Sequence, residues 1–287
     1  MGVSINHCSG YNTSSENMFQ LFFFIKLIFA IIVVLGLSFL AENVSPRVAG
    51  ILSGFPTTSA ISLFFYGLEI NPEFAAKSAV YNIVGLTATL SFMYFYYRAS
   101  KYFKKFNILL SSITAMTGYF IVAWLLHFLQ LNKFIAIFFP IVFSFLFIFL
   151  FKEIKNIKIE KKIRLSFKVI MIRALSAASI ILLITSIPKL IGPTWAGLFS
   201  GFPATLFPLI LIVHHTYNKK YAHTIIKNVP IGTFSVIIYS LVVSIVYPLY
   251  GIYLGTAIAY AMATIYLIAY HKIKHKLLLL NPREQGF

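Results

Sequence analysis

Apolar residues run in long blocks along this chain, and polar residues collect in the short intervals between them. Nine blocks are legible, near residues 18–41, 46–68, 75–97, 107–130, 134–151, 168–188, 193–214, 224–248 and 252–270. Runs of roughly 18 to 25 apolar residues suit a helix crossing a hydrocarbon core about 30 Å thick. The pattern predicts an all-α polytopic membrane protein with about nine transmembrane helices. Two of the blocks contain a signal that should interrupt them. Ala49–Pro56 reads AGILSGFP and Ala196–Pro203 reads AGLFSGFP, each placing a proline well inside an apolar run.

Pro56 and Pro203 are 147 residues apart, and the same offset works far beyond the motif. It pairs Pro46 with Pro193, Ser53 with Ser200, Gly54 with Gly201, Phe55 with Phe202 and Thr58 with Thr205. Upstream it pairs Lys26 with Arg173, both basic residues inside apolar blocks, and downstream Asn71 with Asn218. Such register predicts an internal duplication. Five blocks precede the second copy, so that copy should enter the membrane from the opposite side. The expected organisation is a polar tail (1–17), a four-helix unit (18–130), a connecting helix with a basic loop (131–167), an inverted four-helix unit (168–276) and a second tail (277–287). Inverted repeats with helices broken near the midplane are a common secondary-transporter architecture.

Each four-helix unit resembles the small GlpM-like bacterial inner-membrane proteins and their uncharacterised relatives. The resemblance rests on a basic residue in the first block (IKLIFA, IRALSA), the AG-x-x-x-x-FP motif in the second, and a polar turn near Glu69–Lys77 or Asn218–Thr224. It implies an all-helical fold in the inner membrane, here as two fused units. It carries no activity, substrate or catalytic residue.

Composition changes the picture little, because 59% hydrophobic and 11% charged residues follow from the blocks themselves. Charge changes it more. A net charge of +17 would suggest nucleic acid for a soluble protein, but its placement argues against that partner. Basic residues follow the third, fifth, seventh and ninth blocks, and with Arg47 they make 19 of the 24. Only Lys77, Lys133 and Lys189 fall in the alternate intervals. The positive-inside rule then places the N-terminus outside and the C-terminus in the cytoplasm of a multi-pass inner-membrane protein. Its partners are the bilayer, with anionic lipid at the basic side, and a small anionic substrate.

Pro56 lies about ten helical residues, or about 15 Å, beyond the start of its block, near mid-bilayer. A break there exposes backbone groups that need partners. Ser53, Gly54, Phe55, Pro56, Thr57 and Thr58, with Ser200, Gly201, Phe202, Pro203 and Thr205, are therefore the candidate substrate-binding residues. The competing reading is helix packing through Gly50-x-x-x-Gly54 and Gly197-x-x-x-Gly201. Lys26 and Arg173 either snorkel to the interface or face an anionic ligand. The chain has no Asp, and its seven Glu fall in tails or at block ends, so no buried carboxylate is expected. No catalytic, metal or cofactor motif is present, and one cysteine, Cys8, excludes a cysteine-rich metal site. His214 and His215 suit either proton relay or the headgroup level. These features predict a non-enzymatic transporter or permease for a small anionic solute or lipid phosphate. The alternative is an accessory membrane subunit that packs through its glycine faces.

Overall fold

The computed structural model describes residues 24–32, 35, 55–129, 131–154, 166–186 and 188–280. Among these residues every regular element is a helix. They are α1 (24–32), α2 (Thr57–Glu69), α3 (Pro72–Tyr102), α4 (Asn107–His127), α5 (Lys133–Leu150), α6 (Phe167–Ser186), α7 (Pro188–Ser200), α8 (Leu206–Thr216) and α9 (Lys219–Leu280). Five of them, α3, α4, α5, α6 and α9, are long and apolar enough to cross a membrane.

Helix starts follow local chemistry. Asn71 caps α3 by accepting from Phe74 N at 2.7 Å, with Pro72 in the first turn where its missing N–H costs nothing. Asn132 caps α5 in the same way, accepting from Ile135 N at 2.9 Å. Helix α9 is two arms rather than one rod. Gly251 has φ 76° and ψ 178°, a conformation essentially restricted to glycine, and the chain folds back there. Tyr247 then hydrogen-bonds Thr256 at 2.6 Å, Tyr239 packs on Tyr260, and Tyr266 reaches the Ile231 carbonyl at 3.1 Å. The apolar blocks at 224–248 and 252–270 are thus an antiparallel hairpin.

Helix α3 is the core of the bundle and packs against α2, α4, α5, α7 and α9. Helices α1 and α6 lie antiparallel, since Lys26 reaches the Thr185 carbonyl while Ile31 and Leu35 pack on Ala174 and Ala177. Polar side chains separate to two ends. At one, Tyr96 bonds His214, Ser100 bonds His223, and Lys101, Lys219 and Lys220 cluster. At the other, His127 stacks on Trp195 and Lys26 meets Glu69.

The Gly197–Gly201 face does bring two helices into backbone contact. A Cβ on Gly197 would fall 2.2 Å from the Ser78 carbonyl oxygen and 2.6 Å from Tyr81 Cβ on α3. From the opposite side a Cβ on Gly85 would lie 3.0 Å from the Leu198 carbonyl oxygen, a tight but less severe contact. The nearest atoms to a Cβ on Gly118 would instead belong to the Phe95 ring, an exposed side chain that can move. Gly197→Ala should therefore lower stability by about 1–3 kcal/mol, and Gly118→Ala by clearly less, read as thermal unfolding midpoints in detergent. Equal losses would mean that the α3–α7 backbone contact is not tight.

Candidate functional site

The second proline motif interrupts a helix, and the described end of the first opens a helix in the same local conformation. Helix α7 ends at Ser200, residues 201–205 are non-helical, and α8 begins at Leu206. In the first copy Phe55 and Pro56 form a bend, and α2 begins at Thr57. Thr57 N donates to Phe55 O at 2.6 Å and Ala60 N to Pro56 O at 2.7 Å. The residues 147 positions later repeat both bonds: Ala204 N to Phe202 O at 2.7 Å, and Phe207 N to Pro203 O at 2.8 Å.

Residues of the two motifs line one cavity of about 50 Å³. Six pairs of lining residues are related by the 147-residue offset: Phe55/Phe202, Pro56/Pro203, Thr58/Thr205, Ser59/Leu206, Leu86/Thr233 and Thr89/Val236. A water needs about 10–15 Å³ on this measure, so the space holds a few waters and no larger molecule without widening. Its polar lining consists of hydroxyls and backbone, with no charged side chain among the described lining residues. The N-terminal ends of α2 and α8 both open onto it, and each brings the positive end of a helix dipole, although the amides of Thr57, Ala60 and Phe207 are already bonded within the turns.

A broken helix must also satisfy its last carbonyls, and those of α7 can be accounted for one by one. Gly197 O accepts from Ser200 Oγ at 2.7 Å, and Leu198 O from the Tyr119 hydroxyl at 2.6 Å. Phe199 O accepts from Phe202 N at 2.9 Å, and Ser200 O from Ser59 Oγ at 3.3 Å. Gly201 O, inside the break, accepts from Thr89 Oγ1 at 2.5 Å. Asn82, fully buried on α3, ties this region together. Its Nδ2 donates to Ser59 Oγ at 3.0 Å and to Ser200 Oγ at 2.7 Å, while its Oδ1 accepts from Ser240 Oγ at 2.6 Å. One amide thereby links α2, α7 and α9 through α3.

Of the residues expected from sequence, Phe55, Pro56, Thr57, Thr58, Gly201, Phe202, Pro203 and Thr205 line the cavity. Ser200 stands behind it in the Asn82 network. Phe202 is wedged between Phe92, Tyr119 and Phe207, and Phe55 stacks on Tyr260 at 5.5 Å. Ser53, Gly54 and Cys8 lie outside the described residues. Sequence reading missed Ser59, Asn82, Thr89, Thr233 and Ser240. The available signal was Asn82 itself, an amide in the middle of an apolar block, where polar side chains serve as interhelical links.

Lys26 and Arg173 do not line the cavity. Arg173 is buried on α6 beside the Ala174–Ala177 contact with α1. Lys26 is buried too, with Nζ 2.6 Å from Glu69 Oε1 and 5.4 Å from the centre of the Phe65 ring. The expectation that no carboxylate is buried is therefore corrected. Glu69 sits at a helix end, but its side chain is only 9% exposed because α1 covers it. His214 and His215 fall at the basic end, where His214 bonds Tyr96 Oη at 2.9 Å. No protein-family model, curated protein or solved structure matches the chain.

Removing one partner of a buried ion pair strands a charge, whereas removing both does not. Glu69→Gln should thus destabilise the protein by about 3–5 kcal/mol, and the double change Lys26→Met with Glu69→Leu by much less. A double-mutant cycle on thermal or denaturant unfolding checks this, and additive losses would show that the pair is not coupled.

Proposed function

We propose that this protein is a small secondary transporter of the inner membrane, with its substrate site at the paired helix breaks. The carrying observation is that one cavity is lined by six residue pairs at a constant offset of 147. That is the pattern expected when two inverted units face each other across a pseudo-twofold axis. Helix boundaries support the same register, since α2 ends at Glu69 and α8 at Thr216, and α3 begins at Pro72 and α9 at Lys219. The antiparallel placement of α1 and α6 supports inversion. Counting α7 and α8 as one interrupted span and α9 as two gives nine crossings, with the lysine cluster of the basic end in the cytoplasm.

The substrate in this reading is a small anion or lipid phosphate. Its support is no longer Lys26 or Arg173 but the two helix N-termini converging on threonine hydroxyls, an arrangement that favours negative charge. At about 50 Å³ the cavity has room for a few waters only, so transport requires one half to rock against the other. The tight Gly197 contact favours the alternative, an accessory subunit whose glycine faces only pack.

Uptake of organic anions and lipid phosphates into proteoliposomes tests the proposal. Thr58→Val and Thr205→Val each remove a hydrogen bond to charge worth about 1.5–3 kcal/mol, so each should weaken substrate affinity about tenfold or more. Expression and thermal midpoint should not change. Absence of uptake for every anion, or uptake indifferent to both substitutions, would favour the accessory reading. For orientation, an impermeant thiol reagent should label Cys8 in intact spheroplasts, and labelling only after lysis would reverse the topology.

A further inference from the structure

A second cavity, of about 430 Å³, opens at the basic end and shares no lining residue with the central one. It lies where the last turn of α3, the first turn of α9 and the residues just after α5 come together. Among the described residues its charged lining is Lys101, Lys219 and Lys220, with one carboxylate, Glu153. Three ammonium groups around one space repel each other, and one carboxylate leaves an excess of positive charge for a ligand to neutralise.

The wall beneath them is built rather than loose. Tyr97 is buried, with its ring held edge-on between His223 at 4.8 Å and Phe151 at 5.7 Å. The Lys101 ammonium rests 5.2 Å from the centre of that ring and donates to the Tyr97 hydroxyl at 3.3 Å. Accepting this bond leaves the hydroxyl proton free to donate. Lys219 Nζ reaches the Ser100 carbonyl at 3.5 Å. Ser100 Oγ donates to Tyr97 O at 2.9 Å and lies 2.7 Å from His223 Nε2. His223 is thus an anchor of the wall. Each lysine has three donors and, among the described residues, makes at most one of the bonds above, so donors remain for a ligand.

This charge is not inherited from the repeat. The positions 147 residues before Lys219, Lys220 and His223 are Pro72, Glu73 and Ala76. This basic set therefore has no counterpart by register, unlike the paired lining of the central cavity. Its volume falls within the range of small-ligand pockets, about 300–1,000 Å³. Basic pockets between helices at the cytoplasmic boundary suit phosphate-bearing headgroups, and compact ammonium charges suit phosphate oxygens.

We infer that this cleft binds a phosphoryl group, carried either by an anionic lipid headgroup or by free phosphate, through Lys101, Lys219, Lys220 and the Tyr97 hydroxyl. The site stands apart from the transport reading, because binding here is measured without any flux.

The test uses the purified full chain in uncharged detergent and two probes. Inorganic phosphate is titrated against chloride at equal ionic strength, with the thermal midpoint as readout. In parallel, the protein is placed in nanodiscs of phosphatidylcholine alone or with phosphatidylglycerol. The triple variant Lys101→Gln, Lys219→Gln, Lys220→Gln should weaken the stabilising response about tenfold or more. Lys104→Gln with Lys105→Gln and Lys152→Gln, an equal loss of charge at exposed lysines outside the cleft, should leave it unchanged. A response to phosphate identifies free phosphate as a ligand, and a response to phosphatidylglycerol alone identifies the headgroup. No response to either probe, or equal loss in the cleft and control variants, would overturn the inference. Should the triple variant not fold, Lys220→Gln alone must still lower the response, because that side chain is exposed and its removal leaves the wall intact.

Discussion

A helix interrupted inside an apolar bundle leaves backbone carbonyls and amides without partners, and each costs several kcal/mol if abandoned in hydrocarbon. The arrangement around α7 follows from that constraint. Its terminal carbonyls draw a tyrosine from α4, a serine from α2 and a threonine from α3. Those donors can reach because Gly197 and Gly85 let α3 and α7 touch through their backbones. Close packing and a polar centre are thus one device: glycine faces bring the helices together, and the approach delivers the hydroxyls that make a broken helix tolerable. What remains beside the breaks is a small space with hydroxyl walls.

Charge is handled differently at the two ends. Where α1 covers α2, Lys26 and Glu69 are buried as a pair, which fixes the two helices together without exposing charge to the bundle. At the opposite end lysines outnumber carboxylates around an open cleft, held by Tyr97 and Ser100 rather than by acids. The first arrangement closes a surface, and the second leaves one electrically unbalanced. The central cavity between them has no charged side chain among its described lining residues and relies on dipoles and hydroxyls.

The break at Pro203 was legible in the sequence because proline and glycine act locally: a missing N–H there interrupts a helix whatever surrounds it. The hairpin at Gly251 was legible for a similar reason, as a gap between two apolar blocks. The Asn82 network was not. Whether an amide meets Ser59, Ser200 and Ser240 depends on how four helices are rotated about their axes, and block-level hydropathy carries no rotation. Glu69 misled for the same cause. A carboxylate at a block end reads as solvated, and only the placement of α1 shows that it is covered. Lys26 and Arg173 were paired by sequence register, but their distance from the cavity is a property of the fold.

The central claim is that residues 147 apart meet at one site. In a Cys8→Ser background, where no native cysteine remains, Thr58→Cys and Thr205→Cys place one thiol at each break. A short bifunctional thiol reagent applied to the membrane-embedded protein should link them within one chain, while the pair Thr58→Cys with Lys272→Cys should stay unlinked. Equal linking of both pairs, or none for Thr58→Cys with Thr205→Cys despite labelling of each thiol singly, would contradict a shared site.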